Sequence, residues 1–519
     1  MQITFNEDLT KKIFYSLFIG FIVINAILIL NLRLFPFIDL PQHLAYATIY
    51  KYIDQSGNFF DQYFEFDSLF LKFNTLHVAF TSLDIWNSVE AGNKIFYVLY
   101  IILLPVSVLL LIKKLGGNYW TALLSFLFLY NFNVSWGFVD FMMAIPFCFL
   151  TLNIHYDYIT KQSFKNIILL LVCFIFLYHL HLLSSLYILG LILLQHFIFN
   201  KDSFKKLFSK GIVYLPFICL ILWGVVIKLQ DGSGYDPGRN SIDLIFDYYK
   251  NDYLSSAKYR LGGVFFWDNF FIFKGIRGIL TGLFFSFFSI ICLFWPFKSK
   301  LNSLMKNRQQ KQYLYALSIL IYTLLVYFLI FSKGYIFFRF SVFIFLSLII
   351  IGSLLFKHKF IRPIYVFISI ICILYFILWG NYFFVFQKEN KDFQKMFFRD
   401  LPKNKVLSGL IYEPAYRGKD IYIHFPDYYI TWHHGIETSH IINSYPNYRL
   451  RRKVAYEKLP HSYEWISKTK DYRGNFDNMD YLLLRGECPP NDQEEIEQNF
   501  IIMRQKGDWI LMINNKNVK

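Results

Sequence analysis

The sequence predicts a mainly α-helical membrane protein that crosses the bilayer many times and ends in a small α/β domain. Of the 519 residues, 55% are hydrophobic and only 17% are charged, a balance that ordinary soluble proteins do not have. Apolar runs close to the roughly 20 residues that cross a ~30 Å hydrocarbon core recur along the chain. After Gln387 charged residues become frequent, which indicates a separate domain outside the bilayer.

We expect eleven membrane-spanning segments in the first part of the chain. They are 13–32, 94–112, 119–133, 138–156, 166–180, 183–199, 211–229, 276–296, 312–331, 337–356 and 362–385. The apolar stretch 166–199 is divided at His179-Leu180-His181, because about 34 residues are too many for one crossing. The first run lacks a small-residue cleavage pattern, so we predict a retained anchor rather than a cleaved signal.

Basic residues mark one side of the predicted spans. The Lys and Arg residues lie at 11–12, 113–114, 161–165, 201–210, 298–311 and 357–362, whereas the short loops 134–137 and 181–182 hold none. By the positive-inside rule the N-terminus is cytoplasmic. The alternation then places loops 33–93 and 230–275 on the outer face. The odd number of spans within residues 1–387 puts 388–519 on that face as well.

Composition excludes several classes of protein. The net charge of +16 does not indicate nucleic-acid binding, because Lys and Arg cluster between apolar runs as they do in cytoplasmic loops. Five of the six cysteines lie inside apolar runs and only Cys488 lies in the polar part, so no disulfide framework is predicted. The sequence has no Walker loop, no dinucleotide glycine fingerprint and no zinc-protease helix motif.

Residues 388–519 have the pattern of a small α/β domain, with strand-like runs separated by polar segments. The runs are Lys405–Tyr412, Ile421–Ile423, Tyr481–Leu484, Phe500–Met503 and Trp509–Ile513, and 445–468 is compatible with a helix. His424, His433, His434 and His440 have no acid or thiolate at a recognised metal-ligand spacing. We therefore expect surface histidines there.

The first outer loop begins with Asp39 and His43, four residues apart, just beyond the end of the first span. A carboxylate and an imidazole at this place suit proton transfer at a membrane surface, with Asp39 as general base and His43 as its partner. Asp39 could equally cap a helix that begins at Pro41, a favourable first helical position. The two interpretations do not exclude each other, and the sequence leaves both open.

Arg339 begins an apolar run at the predicted outer face. Its side chain could snorkel to the interface, or its planar guanidinium could grip a lipid-linked phosphate with two hydrogen bonds. Arg239, Arg260 and Lys274 in loop 230–275 are weaker candidates for the same task.

His179, His181 and Asp140 lie near the outer ends of predicted spans. Ionisable side chains at membrane depth usually face the protein interior or a wet cavity. Because residues i and i+2 do not share a helix face, a metal site made by both histidines would need a break there. We favour interhelical hydrogen bonds for the histidines, and for Asp140 a buried pairing over a role as a second site carboxylate.

This layout resembles the GT-C superfamily of integral-membrane glycosyltransferases. The specific resemblance lies in three short segments, Asp39–His43, Ser135–Phe138 and His424–Tyr429, which are similar to segments of bacterial members. The resemblance implies a polytopic helical fold with an outside α/β domain. It also implies transfer of a hexosyl or pentosyl group, with inversion, from a polyprenyl-phosphate donor on the outer face of the bacterial cytoplasmic membrane.

The resemblance implies roles for two residues. Asp39 would be the catalytic carboxylate, and Arg339 would hold the donor phosphate. The first loop has no acid beside Asp39 and no Asp-x-Asp triplet, so the requirement for a divalent cation such as Mg²⁺ or Mn²⁺ stays open. The acceptor would be an envelope glycan, lipid or protein, with the tail domain helping to recognise it.

Three other functions remain open at this stage. A ligase or polymerase of surface polysaccharide is also multi-spanning with a large outer loop. A transporter is disfavoured, because no internal repeat is visible and the polar residues gather at one face. A non-catalytic assembly partner would keep the fold without the chemistry. The sequence does not name the donor sugar, the acceptor, the lipid length or the oligomeric state.

Overall fold

In the computed structural model the described residues are 7–57, 59–66, 72–200, 209–230, 256–257, 260–261, 308–330, 335–355, 362–438, 450–459 and 476–518. The predicted span 276–296 and the candidates Arg239, Lys274 and His440 lie outside them. Most of the described chain is helical.

In chain order the helices are α1 (Glu7–Asn31), α2 (Leu40–Tyr52), α3 (Phe60–Tyr63), α4 (Leu76–Thr81), α5 (Val89–Lys114), α6 (Phe132–Trp136), α7 (Val139–Thr160), α8 (Phe164–Leu180), α9 (Leu182–Asn200), α10 (Leu215–Gln230), α11 (Arg308–Leu329), α12 (Ser341–Leu355), α13 (Arg362–Glu389), α14 (Tyr428–His433), α15 (Val454–Glu457) and α16 (Pro490–Asn499). Eight stretches of the described residues are long and apolar enough to cross a membrane; they coincide with α1, α5, α7 and α9 to α13. The shorter α8 is also apolar. The chain is therefore a mainly helical, polytopic protein.

The predicted span 119–133 is not one α-helix. Tyr119–Phe128 forms a 3₁₀ helix, and α6 follows it after a short break. A 3₁₀ helix rises about 2.0 Å per residue, so ten residues cover about 20 Å rather than the ~15 Å of an α-helix. This longer rise explains how so short an apolar run can reach across the bundle.

The helix ends that the loop charges assign to one side lie together. Contacts at the lysine-rich end are the Lys114–Asp157 ion pair, Asn118 N to Ser353 O at 2.8 Å, and Tyr158 Oη to Lys210 O at 2.7 Å. At the other end they are Thr75 N to His179 O at 2.7 Å, Asn133 Nδ2 to Arg339 O at 3.1 Å, and Leu34 N to Gln387 Oε1 at 3.2 Å. Among the described residues, helix ends that the loop charges assign to the same side therefore contact one another.

The division of the apolar stretch 166–199 is confirmed. Helix α8 ends at Leu180, His181 is extended with φ −162° and ψ 120°, and α9 starts at Leu182. Asn74 Oδ1 accepts a hydrogen bond from Leu182 N at 3.1 Å and so satisfies one of the backbone groups freed by the break.

The tail contains a five-stranded mixed sheet in the order β3-β2-β5-β7-β6. The strands of the chain are β1 (Phe64–Phe66), β2 (Val406–Ile411), β3 (Ile436–Glu437), β4 (Leu450–Arg452), β5 (Tyr481–Arg485), β6 (Phe500–Lys506) and β7 (Trp509–Asn514). Strand β2 runs parallel to β3 and β5, whereas β7 is antiparallel to β5 and β6. Four of the five predicted strand runs correspond to β2, β5, β6 and β7.

Two sequence predictions in the tail are wrong. Ile421–Ile423 belongs to a 3₁₀ segment, Ile421–Asp427, whose Pro426 has no N–H for a sheet ladder. Within 445–468 the described part forms strand β4 and only one helical turn, α15. The partner of β4 is β1, which lies in the loop between α1 and α5, so no local pattern could reveal the pairing.

The tail packs on the loop between α1 and α5, which ends at residue 88 where α5 begins. Strands β1 and β4 are antiparallel, with Phe64 opposite Arg452 and Phe66 opposite Leu450. Helix α2 packs against Ile421–Asp427 and against α14. Because backbone hydrogen bonds join them, the first loop and the tail lie on the same side of the bundle.

A disulfide can test this packing. Glu65 and Arg451 are directly opposite each other in the β1–β4 pair. Antiparallel partners have Cα atoms about 4.5–5.5 Å apart, within the range that a disulfide spans. In a chain without its native cysteines, we expect Glu65→Cys with Arg451→Cys to form an intramolecular disulfide, detected by a mobility shift that reductant reverses.

The control combines Glu65→Cys with Asp157→Cys, since Asp157 pairs with Lys114 at the opposite end of the bundle. We expect no disulfide in that variant. Equal cross-linking in both variants, or none between residues 65 and 451, would contradict the docking of the tail on the first loop.

Candidate functional site

Asp39 is the residue just before α2, but its side chain does not cap that helix. Its backbone has φ −86° and ψ −5°, and no capping hydrogen bond is made by its side chain. Instead, Oδ1 lies 3.7 Å from Nε2 of His424 in the tail. The capping interpretation therefore does not describe this carboxylate.

His424 is held by a second residue of α2. Gln42 Nε2 donates a hydrogen bond to His424 Nδ1 at 2.8 Å. Because an amide nitrogen only donates, Nδ1 is the acceptor and the ring hydrogen resides on Nε2, the atom that faces Asp39. Asp39 and Gln42 are three residues apart, so they lie on one face of the first turn.

The expectation that His424 is a surface histidine is wrong. Its side chain is 1% exposed, and that of Asp39 is 15% exposed. The reason is the packing of Ile421–Asp427 on α2, which a metal-spacing argument does not consider. His433 and His434 are only partly buried.

The turn 135–138 supports the start of α2. Ser135 O accepts from Ile38 N at 3.3 Å, and Trp136 O accepts from Asp39 N at 2.9 Å. Gly137 ends α6 with φ +78°, and a Cβ there would lie 2.6 Å from Leu40 N. Only glycine tolerates this conformation together with so close a backbone neighbour.

The same turn contacts Arg339. The guanidinium lies over the Phe138 ring at 3.7 Å, a cation–π arrangement, and Nη1 donates to His181 Nε2 at 3.3 Å. The carbonyl of Arg339 accepts from Asn133 Nδ2 at 3.1 Å. The turn 135–138 therefore contacts the Asp39 backbone through Trp136 and the Arg339 side chain through Phe138.

His43, which is partly buried, lies near the buried His77. The rings of His43 and His77 are 5.8 Å apart and perpendicular. His77 Nε2 donates to Asn93 Oδ1 at 2.9 Å, and Asp140 Oδ1 accepts from His77 N at 3.1 Å. Asp140 thus binds the first turn of α4, in keeping with the buried pairing favoured for it.

His179 and His181 have different partners, so they do not form a pair. His179 Nδ1 lies 3.0 Å from Thr75 Oγ1, and its carbonyl accepts from Thr75 N. His181 contacts Arg339 as described above. This matches the hydrogen-bonding interpretation favoured for the two histidines.

Arg260 stabilises a helix end. Its guanidinium donates to Tyr327 O at 2.5 Å and Ile330 O at 2.8 Å, where α11 terminates. The residue is fully buried and its guanidinium lies 4.3 Å from the Phe337 ring centre. Cations are favourable at helix C-termini, so these contacts account for the residue without a phosphate.

A resident metal does not fit the described residues. Among them, no three His, Cys, Asp or Glu side chains lie together as metal ligands would. The neighbour shown for the Asp39 carboxylate is an imidazole rather than a second acid. We therefore derive no step through a cation.

No protein-family model matches this chain, and no curated protein sequence matches it either. The assignment of the site therefore depends on its own chemistry. It combines a carboxylate, an imidazole 3.7 Å from it, and a guanidinium that lies over the Phe138 ring of the turn next to Asp39. Sequence reasoning missed the pairing of His424 with the α2 residues, because His424 and Gln42 are 382 positions apart.

Replacement of Gly137 should disrupt the site. In Gly137→Ala the new Cβ would lie 2.6 Å from Leu40 N, and φ is +78°. We expect the free energy of unfolding to fall by at least about 1 kcal/mol, because the left-handed conformation alone has that cost for residues with a Cβ. The measurement is the thermal midpoint in detergent.

The matched control is Gly20→Ala on α1, where nothing lies within 4 Å of the new atom. We expect its midpoint to stay unchanged or rise slightly, since alanine is the better helix former. Equal midpoints for the two variants would contradict the close approach at Gly137.

The protein should lose stability in mild acid. Burial lowers the pKa of His77 from 6.5 to about 4, and burial with nearby Lys403 lowers that of His434 to about 4. Below pH 6.5 the unfolded histidines bind protons that the folded ones do not, so folding weakens until the pH reaches about 4.

We therefore expect the thermal midpoint to be flat above pH 6.5 and to fall between pH 6.5 and 4. In the double variant His77→Gln, His434→Gln the slope in this window should be smaller, whatever the starting midpoint. An unchanged slope would show that neither histidine is buried in its neutral form.

Proposed function

We propose that this protein is a GT-C-type glycosyltransferase that moves a hexosyl or pentosyl group from a polyprenyl-phosphate donor to an envelope acceptor. The observation that carries the proposal is the turn 135–138, which contacts the Asp39 backbone and the Arg339 side chain. A base and a phosphate-binding cation that contact the same turn suit transfer from a phosphate-linked sugar.

In the proposed reaction Asp39 is the general base. The acceptor hydroxyl oxygen forms a bond to the anomeric carbon, and the bond from that carbon to the phosphate oxygen breaks. The electron pair leaves with the polyprenyl phosphate, and the hydroxyl proton passes to Asp39. Attack opposite the leaving phosphate inverts the configuration.

Arg339 is suited to the leaving group. Its guanidinium keeps its charge at any ordinary pH, and its fork of donors matches phosphate oxygens. The Phe138 ring and His181 already fix the orientation of this guanidinium, so little freedom is lost when phosphate binds. A positive charge preorganised in this way stabilises the negative charge that develops as the phosphate leaves.

The position of the site fits a lipid-linked donor. Asp39 follows the end of α1 by eight residues (Asn31 to Asp39), so it lies near the mouth of the bundle. The isoprenoid chain of such a donor stays in the bilayer, which limits how far its phosphate can reach. Loop charges favour the outer face of a bacterial cytoplasmic membrane, with the N-terminus inside.

The test is turnover of defined donors by the purified protein in lipid nanodiscs. We expect release of undecaprenyl phosphate from at least one of its glucose, mannose or arabinose conjugates when an envelope extract supplies acceptors. Asp39→Asn should slow release by at least about 10²-fold, since general bases contribute this much. Its folding should be normal, because the side chain does not cap α2.

The control is His433→Ala in the tail, a partly exposed residue whose Nε2 lies 3.0 Å from the Pro402 carbonyl oxygen. It should release the lipid phosphate at the native rate. Full activity of Asp39→Asn would remove Asp39 from the mechanism. Absence of release from all three donors would refute transfer from these lipid-linked sugars.

A further inference from the structure

We propose that the tail domain completes the catalytic site, with His424 as the positioning residue of Asp39. This inference rests on the proposed function, because it names the partner of the proposed base. It differs from the sequence-based expectation, in which His43 assists Asp39 and the tail only recognises the acceptor. The argument starts from the two contacts of one imidazole.

Both nitrogens of His424 face residues of the first turn of α2. Nδ1 accepts from Gln42 at 2.8 Å, and Nε2 faces the Asp39 carboxylate at 3.7 Å. Gln42 therefore fixes both the plane and the tautomer of the ring. With that tautomer the ring N–H is on Nε2, 3.7 Å from Asp39 Oδ1, which is too long for a direct hydrogen bond but close enough for the N–H dipole to favour the carboxylate charge.

The hydrogen bond between His424 and Gln42 is buried. His424 and Gln42 are each 2% exposed, so their hydrogen bond is shielded from water. A buried polar group without a partner costs about 1–3 kcal/mol, and the pairing with Gln42 avoids that cost for Nδ1. An apolar residue would fill the same space without this requirement. The buried imidazole is therefore explained better by its contact with Asp39 than by packing alone.

The segment that carries His424 is fixed on both sides. Tyr422 Oη accepts from Asn390 Nδ2 at 3.0 Å, which ties the segment to the end of α13. Pro426 packs so closely on strand β2 that a Cβ at Gly409 would lie 2.3 Å from its Cγ. With α2 on the opposite side, the imidazole has little room to move away from Asp39.

Further contacts hold the tail on the bundle near this point. Glu90, at the start of α5, accepts from Trp432 Nε1 at 2.9 Å and pairs with Lys395 Nζ at 2.6 Å. These contacts position α14, which follows directly after the His424 segment. The contacts that dock the tail on the bundle therefore also position the segment that carries His424.

One experiment tests the pairing without any substrate. It follows the pH dependence of deuterium exchange at the imidazole C2 of His424, by mass spectrometry of the full-length protein in nanodiscs. A nearby carboxylate favours the protonated imidazole, so Asp39→Asn should shift the exchange profile of His424 to lower pH. The other ionisable side chains on the two packing elements are His43, Tyr46, Tyr50, Lys51, Tyr52, Tyr422 and Asp427.

His433 in the same protein is the internal control, because its ring contacts the Pro402 carbonyl instead. Its exchange profile should be the same in native protein and Asp39→Asn. A His424 pKa that does not respond to Asp39→Asn would overturn the pairing. An equal shift at both histidines would overturn it too, because it would indicate a general change in the tail.

A second experiment tests the positioning role, using the donor that the native protein turns over. We expect His424→Leu to lower kcat by about 10²-fold with KM for the donor unchanged, as small misplacements of a reacting group do. His424→Gln should recover part of kcat, because its amide N–H can replace the Nε2 donor. His433→Leu should match the native enzyme.

Two further outcomes are informative. If His424→Leu does not fold, Gln42→Leu replaces it, and a native kcat in that variant would overturn the role of the tautomer. If native protein releases no lipid phosphate from any donor, the proposed function fails, while the exchange experiment still decides whether His424 and Asp39 are paired.

Discussion

The packing of the tail segment Ile421–Asp427 on helix α2 is the contact on which the candidate site depends. It buries His424 against Asp39 and Gln42, and it brings the C-terminal part of the chain onto the loop between α1 and α5. Helix α2 is short and almost fully buried, with the membrane bundle on one side and the tail on the other. A shift of either the bundle or the tail against α2 would therefore displace the Asp39 carboxylate.

Irregular backbone surrounds this helix, and its polar groups are satisfied by the protein. The turn 135–138 binds the backbone just before α2, and Asn74 binds the backbone freed by the break at His181. In a bilayer, unpaired N–H and C=O groups cost several kcal/mol each, so non-helical segments are tolerated only inside the protein or beside water.

The ionisable groups around the site fall into two kinds. Asp140 and Arg260 bind backbone groups at helix ends, and these contacts account for their burial. The carboxylate of Asp39 and the guanidinium of Arg339 each lie beside a histidine ring, that of His424 and that of His181. All four were candidates by type and position, and the structure shows helix-end contacts for Asp140 and Arg260.

The sequence by itself determined the features that depend on local composition. Hydropathy located the apolar helices and the break at His179–His181, alternation located four strands of the tail, and the end of the first span drew attention to Asp39. Each of these follows from residues that are near neighbours in the chain.

Only the tertiary structure decided what those residues contact. The 3₁₀ conformation of Tyr119–Phe128 and of Ile421–Asp427, the β1–β4 pair and the burial of His424 all depend on partners far away in the chain. His424 lies 382 positions from Gln42, and no periodicity spans that distance. The physical reason is that hydropathy patterns and secondary-structure propensities report on a few neighbouring residues. Packing, by contrast, joins surfaces whatever their separation in the chain.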